Sequence, residues 1–151
     1  MNEGEVAPNF KLYDQNGESI SLGSFHGQKN VVLCFYPKNH IFGCPSKKIF
    51  KMSENVIASH SDILSTNSVI FAISIDTVES QKKFVDEYNI PYRHLSDPQK
   101  NVCKMYAGLN IAGLAKRSTF IVDKKGIISK IFRDINVKNH GQEILDFLKT
   151  L

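Results

Sequence analysis

Residues Val31–Tyr36 read VVLCFY, an unbroken apolar run, and such a run suits a strand covered on both faces of a sheet rather than one with a wet side. A chain built round a strand of that kind needs helices above and below it, which narrows the folds open to it. Pro37 ends the run and a polar loop follows. Gly43-Cys44-Pro45-Ser46 then opens a segment of helical spacing. Pro45 falls in the first helical turn, where a missing N–H costs nothing, so Cys44 sits at a helix N-terminus. The unpaired N–H groups and the positive end of the macrodipole there favour an anion and lower the pKa of a thiol. This is a layout for a reactive cysteine.

The remaining elements follow in order. Phe10–Tyr13 and Ser19–Leu22 alternate around Asp14-Gln15-Asn16-Gly17, whose Asn-Gly predicts a hairpin. A helix is expected from about Pro45 to Ile63, with Ile49, Met52, Val56, Ile57, Ile63 and Leu64 on one stripe. His60 lies near that stripe and reads as a packed side chain rather than a metal ligand. After a loop at Ser65–Ser68, Val69–Ile75 forms a second apolar strand ending at Asp76. Thr77 caps a helix running to Tyr88, which Asn89 and Pro91 stop. Tyr92–Leu95 is a short strand expected at an edge. Ser96 or Asp97 caps a helix from Pro98 to Tyr106, with Gly108 at its end and Cys103 inside it. Ser118–Val122 is a third apolar strand, joined through the Asp123–Gly126 turn to Ile127–Phe132, and a last helix covers Gln142–Leu151. A leading hairpin, then β-α-β-α, then a hairpin and a closing helix describe an α/β fold of thioredoxin-like pattern: a central mixed sheet flanked by helices, with an N-terminal β-hairpin.

At 151 residues the chain fits one domain, residues 1–151. The hydrophobic share of 42% and charged share of 23% are globular values, and no run of apolar residues is long enough to span a bilayer. The opening MNEGEVAPNF has neither the basic nor the apolar region of a secretory signal, so a cytoplasmic location is expected. Three cysteines, Cys34, Cys44 and Cys103, form no CxxC and no metal-like set, which fits a reducing compartment. The net charge of +4 comes from dispersed lysines without interleaved aromatics, which argues against nucleic acid as a partner.

At this point the sequence resembles a known family. VAPNFKLYDQNGESISLGSFHGQKNVVLCFYPK near the start, SIDTVESQKKFVDEYNIPYRHLSDPQKNVCKMYAG in the middle and RSTFIVDKKGII toward the end are similar, in order and over nearly the whole chain, to peroxiredoxins of the bacterioferritin-comigratory, or PrxQ, group. The resemblance implies a thiol-dependent peroxidase without cofactor or metal, acting on hydrogen peroxide and organic hydroperoxides. It makes Cys44 the peroxidatic cysteine and Arg117 its arginine partner, with Pro37, position 41 and Gly43 as supports. It also leans toward a monomer. In the family pattern PxxxTxxC, Pro37 and Cys44 match, but position 41 is Ile41 in place of Thr or Ser. Phe42 and Pro45 look more like the typical two-cysteine peroxiredoxins.

These residue types belong together chemically. A thiolate attacks one peroxide oxygen while charge develops on the other, and a guanidinium such as that of Arg117 favours both anions. The N–H groups of Gly43 and Cys44 are candidate fixed donors, and His40 or Ser46 could replace the hydroxyl that Ile41 lacks. The sulfenic acid formed on Cys44 must then meet a second thiol. PrxQ proteins often carry that thiol five positions on, where this chain has Ile49. Cys34 lies mid-strand and is expected to pack as a small apolar group, which leaves Cys103 as the candidate internal resolving thiol, itself also explicable as a helix-face residue. The working expectation is a one-cysteine cycle completed by thioredoxin, glutaredoxin or a small thiol. The alternative is a catalytically weakened, redox-responsive binding module with Cys44 as sensor. Tyr36 and Phe42 are expected to pack around the site.

Overall fold

A computed structural model describes the backbone of residues 1–39 and 46–151, and the side chains of those residues except 46–52. Among the described residues the sheet has seven strands: β1 (Lys11–Asp14), β2 (Ser19–Ser21), β3 (Asn30–Phe35), β4 (Ser68–Ser74), β5 (Arg93–Ser96), β6 (Ser118–Val122) and β7 (Ile128–Phe132). Four α-helices among the described residues accompany it: α1 (Ser46–Ser65), α2 (Val78–Tyr88), α3 (Asn101–Tyr106) and α4 (His140–Leu148). The strand order is β2-β1-β5-β4-β3-β6-β7, with β3, β4 and β5 mutually parallel and the other pairings antiparallel.

The apolar run becomes β3, and every residue of that strand is buried. Period-two alternation then divides two cores. Val31, Leu33 and Phe35 point into one, with Phe71, Ile73, Phe120 and Val122 and with Val102 and Tyr106 of α3. Val32, Cys34 and Tyr36 point into the other, with Ile70, Ala72 and Ile121 and with Val56 and Ile63 of α1, Phe84 of α2 and Ile144 and Leu148 of α4. Tyr106 stacks on Phe35 at 5.6 Å between ring centroids and meets Phe120 edge-on at 5.3 Å.

The leading hairpin forms where Asn-Gly predicts it. Asp14 Oδ1 accepts from the N–H groups of Asn16 and Glu18, both at 2.9 Å, and Gly17 takes φ +77°, which a side chain would resist. The other oxygen, Oδ2, lies 3.0 Å from Arg93 Nε, so one buried carboxylate shapes the turn and ties the hairpin to β5.

Several expected boundaries move. The loop expected at Ser65–Ser68 shortens to a turn at Thr66 and Asn67, with Asn67 at φ 59°, because α1 continues to Ser65 and β4 begins at Ser68. The strand expected at an edge over Tyr92–Leu95 is instead β5, inside the sheet between β1 and β4; the hairpin occupies the edge. The helix expected from Pro98 starts only at Asn101, since Lys100 takes a left-handed conformation. The N-cap is Lys100, which makes no side-chain cap, rather than the expected Ser96 or Asp97; Asp97 instead serves the helix from three residues before the cap, its Oδ2 accepting the Cys103 N–H at 2.7 Å. The last helix begins two residues earlier than expected, at His140. Asn139, its N-cap, makes no side-chain cap. Asn55 of α1 does this work from outside: its Oδ1 accepts the Gly141 N–H at 2.5 Å and its Nδ2 donates to the Lys138 carbonyl at 2.8 Å. No helix among the described residues is long and apolar enough to cross a membrane.

Candidate active site

Cys44, Ile41 and Gly43, with His40, Phe42 and Pro45, lie outside the described residues, as do the side chains of Ser46 and Ile49. The surroundings of that stretch are described. Pro37 is half-buried just after β3, and Asn39, the last residue before the stretch, is fully buried. Arg117 is half-buried directly before β6. In the register, Phe35 at the end of β3 faces Ser118 at the start of β6. Arg117 and the departure of the chain toward Cys44 therefore share one end of the sheet.

Arg117 also shares a face with helices α1 and α4. Thr119, two residues on and so on the same side of β6, shares hydrogen bonds with the Cys34 thiol and, at 2.7 Å, with His140 Nε2 of α4. The Arg117 charge acts on both neighbours, drawing the Cys34 thiol down and disfavouring His140 as a cation. Burial outweighs it at Cys34, whose thiol is pushed up to about 12. His140 is lowered to about 4, mainly by burial, so it is neutral at pH 7.

Cys34 packs as the small buried group expected of it. Cys103 is also free and fully buried. Burial pushes its thiol up, and the nearby Asp97 and Asp76 carboxylates push the same way. It belongs to the core on the α3 face, whereas α1 packs on the opposite face. His60 is half-buried with its ring 5.6 Å from that of Tyr92, and burial lowers its pKa. No group of three His, Cys, Asp or Glu side chains among the described residues could hold a metal.

Tyr36 does more than pack, contrary to expectation. Its hydroxyl lies 2.5 Å from Asn39 Oδ1, 2.9 Å from Gln81 Oε1 and 2.8 Å from His94 Nδ1. Asn39 Nδ2 donates to Gln81 Oε1 at 3.0 Å and to Ser80 Oγ at 3.1 Å. Gln81 Nε2 donates to Ser74 Oγ at 2.9 Å and to the Leu95 carbonyl at 3.0 Å. The Asp76 carboxylate collects the Ser74 hydroxyl at 2.6 Å, the Ser80 hydroxyl at 3.1 Å and the Asn39 backbone N–H at 2.9 Å. Sequence reasoning passed over Asn39, Asp76 and Gln81. The available signal was a set of polar residues at the ends of two apolar strands and on the inner side of α2.

Comparisons with known proteins agree with this architecture. Residues 4–131 match the AhpC/TSA family model. Peroxiredoxin Bcp of Bacillus subtilis is 32% identical, over 98% of this chain and 95% of the relative. The chloroplastic peroxiredoxin Q of Triticum aestivum is also 32% identical, over the full chain and 68% of the relative. Among solved structures, peroxidoxin BcpB from Mycobacterium tuberculosis superposes with a TM-score of 0.85 at 26% identity, covering 100% of this chain and 98% of that one. The thioredoxin-like fold expected from the order of strands and helices is thus the fold observed, and this chain belongs to the AhpC/TSA family, as a peroxiredoxin of the Bcp/PrxQ kind.

Proposed function

We propose that this peroxiredoxin reduces hydrogen peroxide and organic hydroperoxides through Cys44, with Arg117 as the cation beside it. The observation that carries the assignment is the burial of the other two thiols. Cys34 and Cys103 are both enclosed, and both are pushed away from the thiolate form. Since the thiolate is the nucleophile, Cys44 is left to do the chemistry.

The Cys44 thiolate attacks one oxygen of the peroxide, the O–O bond breaks, and the leaving oxygen takes a proton to depart as water or an alcohol. Sulfur is oxidised by two electrons to the sulfenic acid and the peroxide is reduced by two. A reductant thiol then displaces water from the sulfenic acid, giving a mixed disulfide, and a second thiol releases Cys44. That reductant is external: thioredoxin, glutaredoxin or a small thiol, meeting a monomer. The place of Cys103, with the sheet between its core and α1, supports this over an internal disulfide. The names of the relatives favour turnover over the binding-module alternative.

Peroxide consumption with dithiothreitol, measured against hydrogen peroxide and an alkyl hydroperoxide, tests the assignment. Turnover should vanish in Cys44→Ser, and a variant that still turns over would refute it. Mass spectrometry after one equivalent of peroxide should find a sulfenic acid or mixed disulfide on Cys44. A Cys44–Cys103 disulfide would contradict the external cycle.

A further inference from the structure

Beneath the ends of β3, β4 and β5 lies a polar cluster that the proposed chemistry does not use. Tyr36, Asn39, Ser74, Asp76, Gln81 and His94 are all buried. A buried polar group without a partner costs about 1–3 kcal/mol, so a group of six is a hazard unless nearly every member is satisfied.

Here one ordering of protons serves the chain from His94 to Asp76. His94 is neutral, lowered to about 3 by burial, and its Nδ1–H donates to the Tyr36 oxygen. Tyr36 donates in turn to Asn39 Oδ1, Asn39 to Gln81, Gln81 to Ser74, and Ser74 to the Asp76 carboxylate. The carboxylate also takes the Asn39 backbone N–H and the Ser80 hydroxyl, and the Ser96 hydroxyl donates to the Asp76 carbonyl. His94 Nε2, among the rings of Tyr36, Phe84 and Tyr92, is left without a partner.

The cluster grips one point of main chain, Asn39, from both its side chain and its backbone N–H. Five residues later comes Cys44. Its direct partners are Tyr36, Asp76 in the turn after β4, and Ser80 and Gln81 in the first turns of α2, and these are braced in turn by Ser74 of β4 and by His94 and the Leu95 carbonyl of β5.

We propose that the Asp76-centred network is a positioning device for the peroxidatic thiol, acting by fixing the backbone at Asn39 where the chain leaves β3 for Cys44. Asn39, Asp76 and Tyr36 are then positioning residues rather than catalytic ones. This rests on the assignment of Cys44 made above. A misplaced anchor alters the environment of the thiol as well as its approach to peroxide, whereas loss of stability alone does not.

The test compares Tyr36→Phe, which keeps the ring and removes the hydroxyl, Asp76→Asn, and Ser80→Ala, which deletes one half-buried hydroxyl. Ile128→Val is the stability control: Ile128 is fully buried and pairs with Val122, which faces Val31 at the opening end of β3. Two quantities are read in each folded variant: the second-order rate with hydrogen peroxide, and the pH midpoint of alkylation at the Cys44 peptide, followed by mass spectrometry. The expected result is a rate loss of about tenfold or more in Tyr36→Phe and Asp76→Asn, a smaller loss in Ser80→Ala, and a displaced midpoint in all three, with neither change in Ile128→Val. Should Asp76→Asn not fold, the other two variants carry the test. Rates within twofold of the parent with an unmoved midpoint, beside an inactive Cys44→Ser, overturn this proposal alone. A Cys44→Ser protein that still consumes peroxide overturns the assignment of Cys44 and this proposal with it.

Discussion

Replacing Gly141 with alanine sets two effects of opposite sign against each other, and the structure decides between them. In an exposed helix the change should stabilise, since glycine costs about 0.5–1 kcal/mol relative to alanine. Gly141, however, lies in the first turn of α4 against α1. A Cβ added there would sit 2.5 Å from the Asn55 carbonyl oxygen, 2.8 Å from Ser59 Oγ and 2.9 Å from Asn55 Oδ1. The nearest of these is backbone and cannot swing away, so α4 must shift outward. That shift strains the α1–α4 packing, at about 1–3 kcal/mol for overpacking. It also stretches the Asn55 Oδ1 bond to the Gly141 N–H, a cap worth about 1 kcal/mol. Less the gain in propensity, Gly141→Ala should destabilise the chain by about 1–3 kcal/mol, or a fall in Tm of about 3–10 °C at this size. Urea and thermal unfolding followed by circular dichroism measure it, with Asn55→Ala as the companion that loses the cap without the clash. A Tm equal to or above the parent's would refute the reasoning, because it would mean that the two helices separate freely.

Acid provides an independent check on the buried histidines. His94 and His140, held near 3 and 4 when folded, regain an ordinary value of about 6.5 on unfolding. The stability they contribute is therefore complete above pH 6.5 and drains away below it, by about 1.4 kcal/mol per pH unit for each; a urea midpoint that stays level from pH 6.5 to 5 would contradict this. Thr119→Val strips the hydroxyl from between His140 and Cys34 and should cost about 1–3 kcal/mol in urea unfolding, more than Thr119→Ser, which keeps it. Ile41→Thr restores the donor of the family pattern and should raise the second-order rate of peroxide reduction, by about tenfold or more on the scale of one anion-hole donor; an unchanged rate would show that another group already supplies it.

What could be read from the sequence, and what could not, divides along a physical line. β3, β4 and β6 were legible because their burial is apolar and local: Val, Ile, Leu and Phe in a row need no distant partner to explain them. β5 was not. Its residues, Arg93, His94, Leu95 and Ser96, look like an edge because three of the four are polar. Yet His94 and Ser96 are among the most enclosed residues of the chain, made tolerable by Tyr36 and by the Asp76 carbonyl, and Arg93 reaches Asp14. The same blindness made Tyr36 a packing residue and started α4 too late, since its cap belongs to Asn55, 86 positions away in sequence.

The candidate site shows the same asymmetry from the other side. Cys44, Pro37 and Arg117 were singled out because the peroxiredoxin pattern asks for those residue types at those places in the chain. Asn39, Asp76 and Gln81 escaped because nothing in a peroxidase requires an asparagine, an aspartate or a glutamine as such. What the proposed positioning role requires is a firm point of departure for the chain leaving β3, and many polar sets could provide one. A sequence pattern built on reacting groups therefore names candidates for the chemistry and is silent about their support. The support becomes visible only when buried polar atoms are followed from donor to acceptor until the chain of bonds ends, here at the Asp76 carboxylate, which also accepts the backbone N–H of the residue that leads toward the thiol.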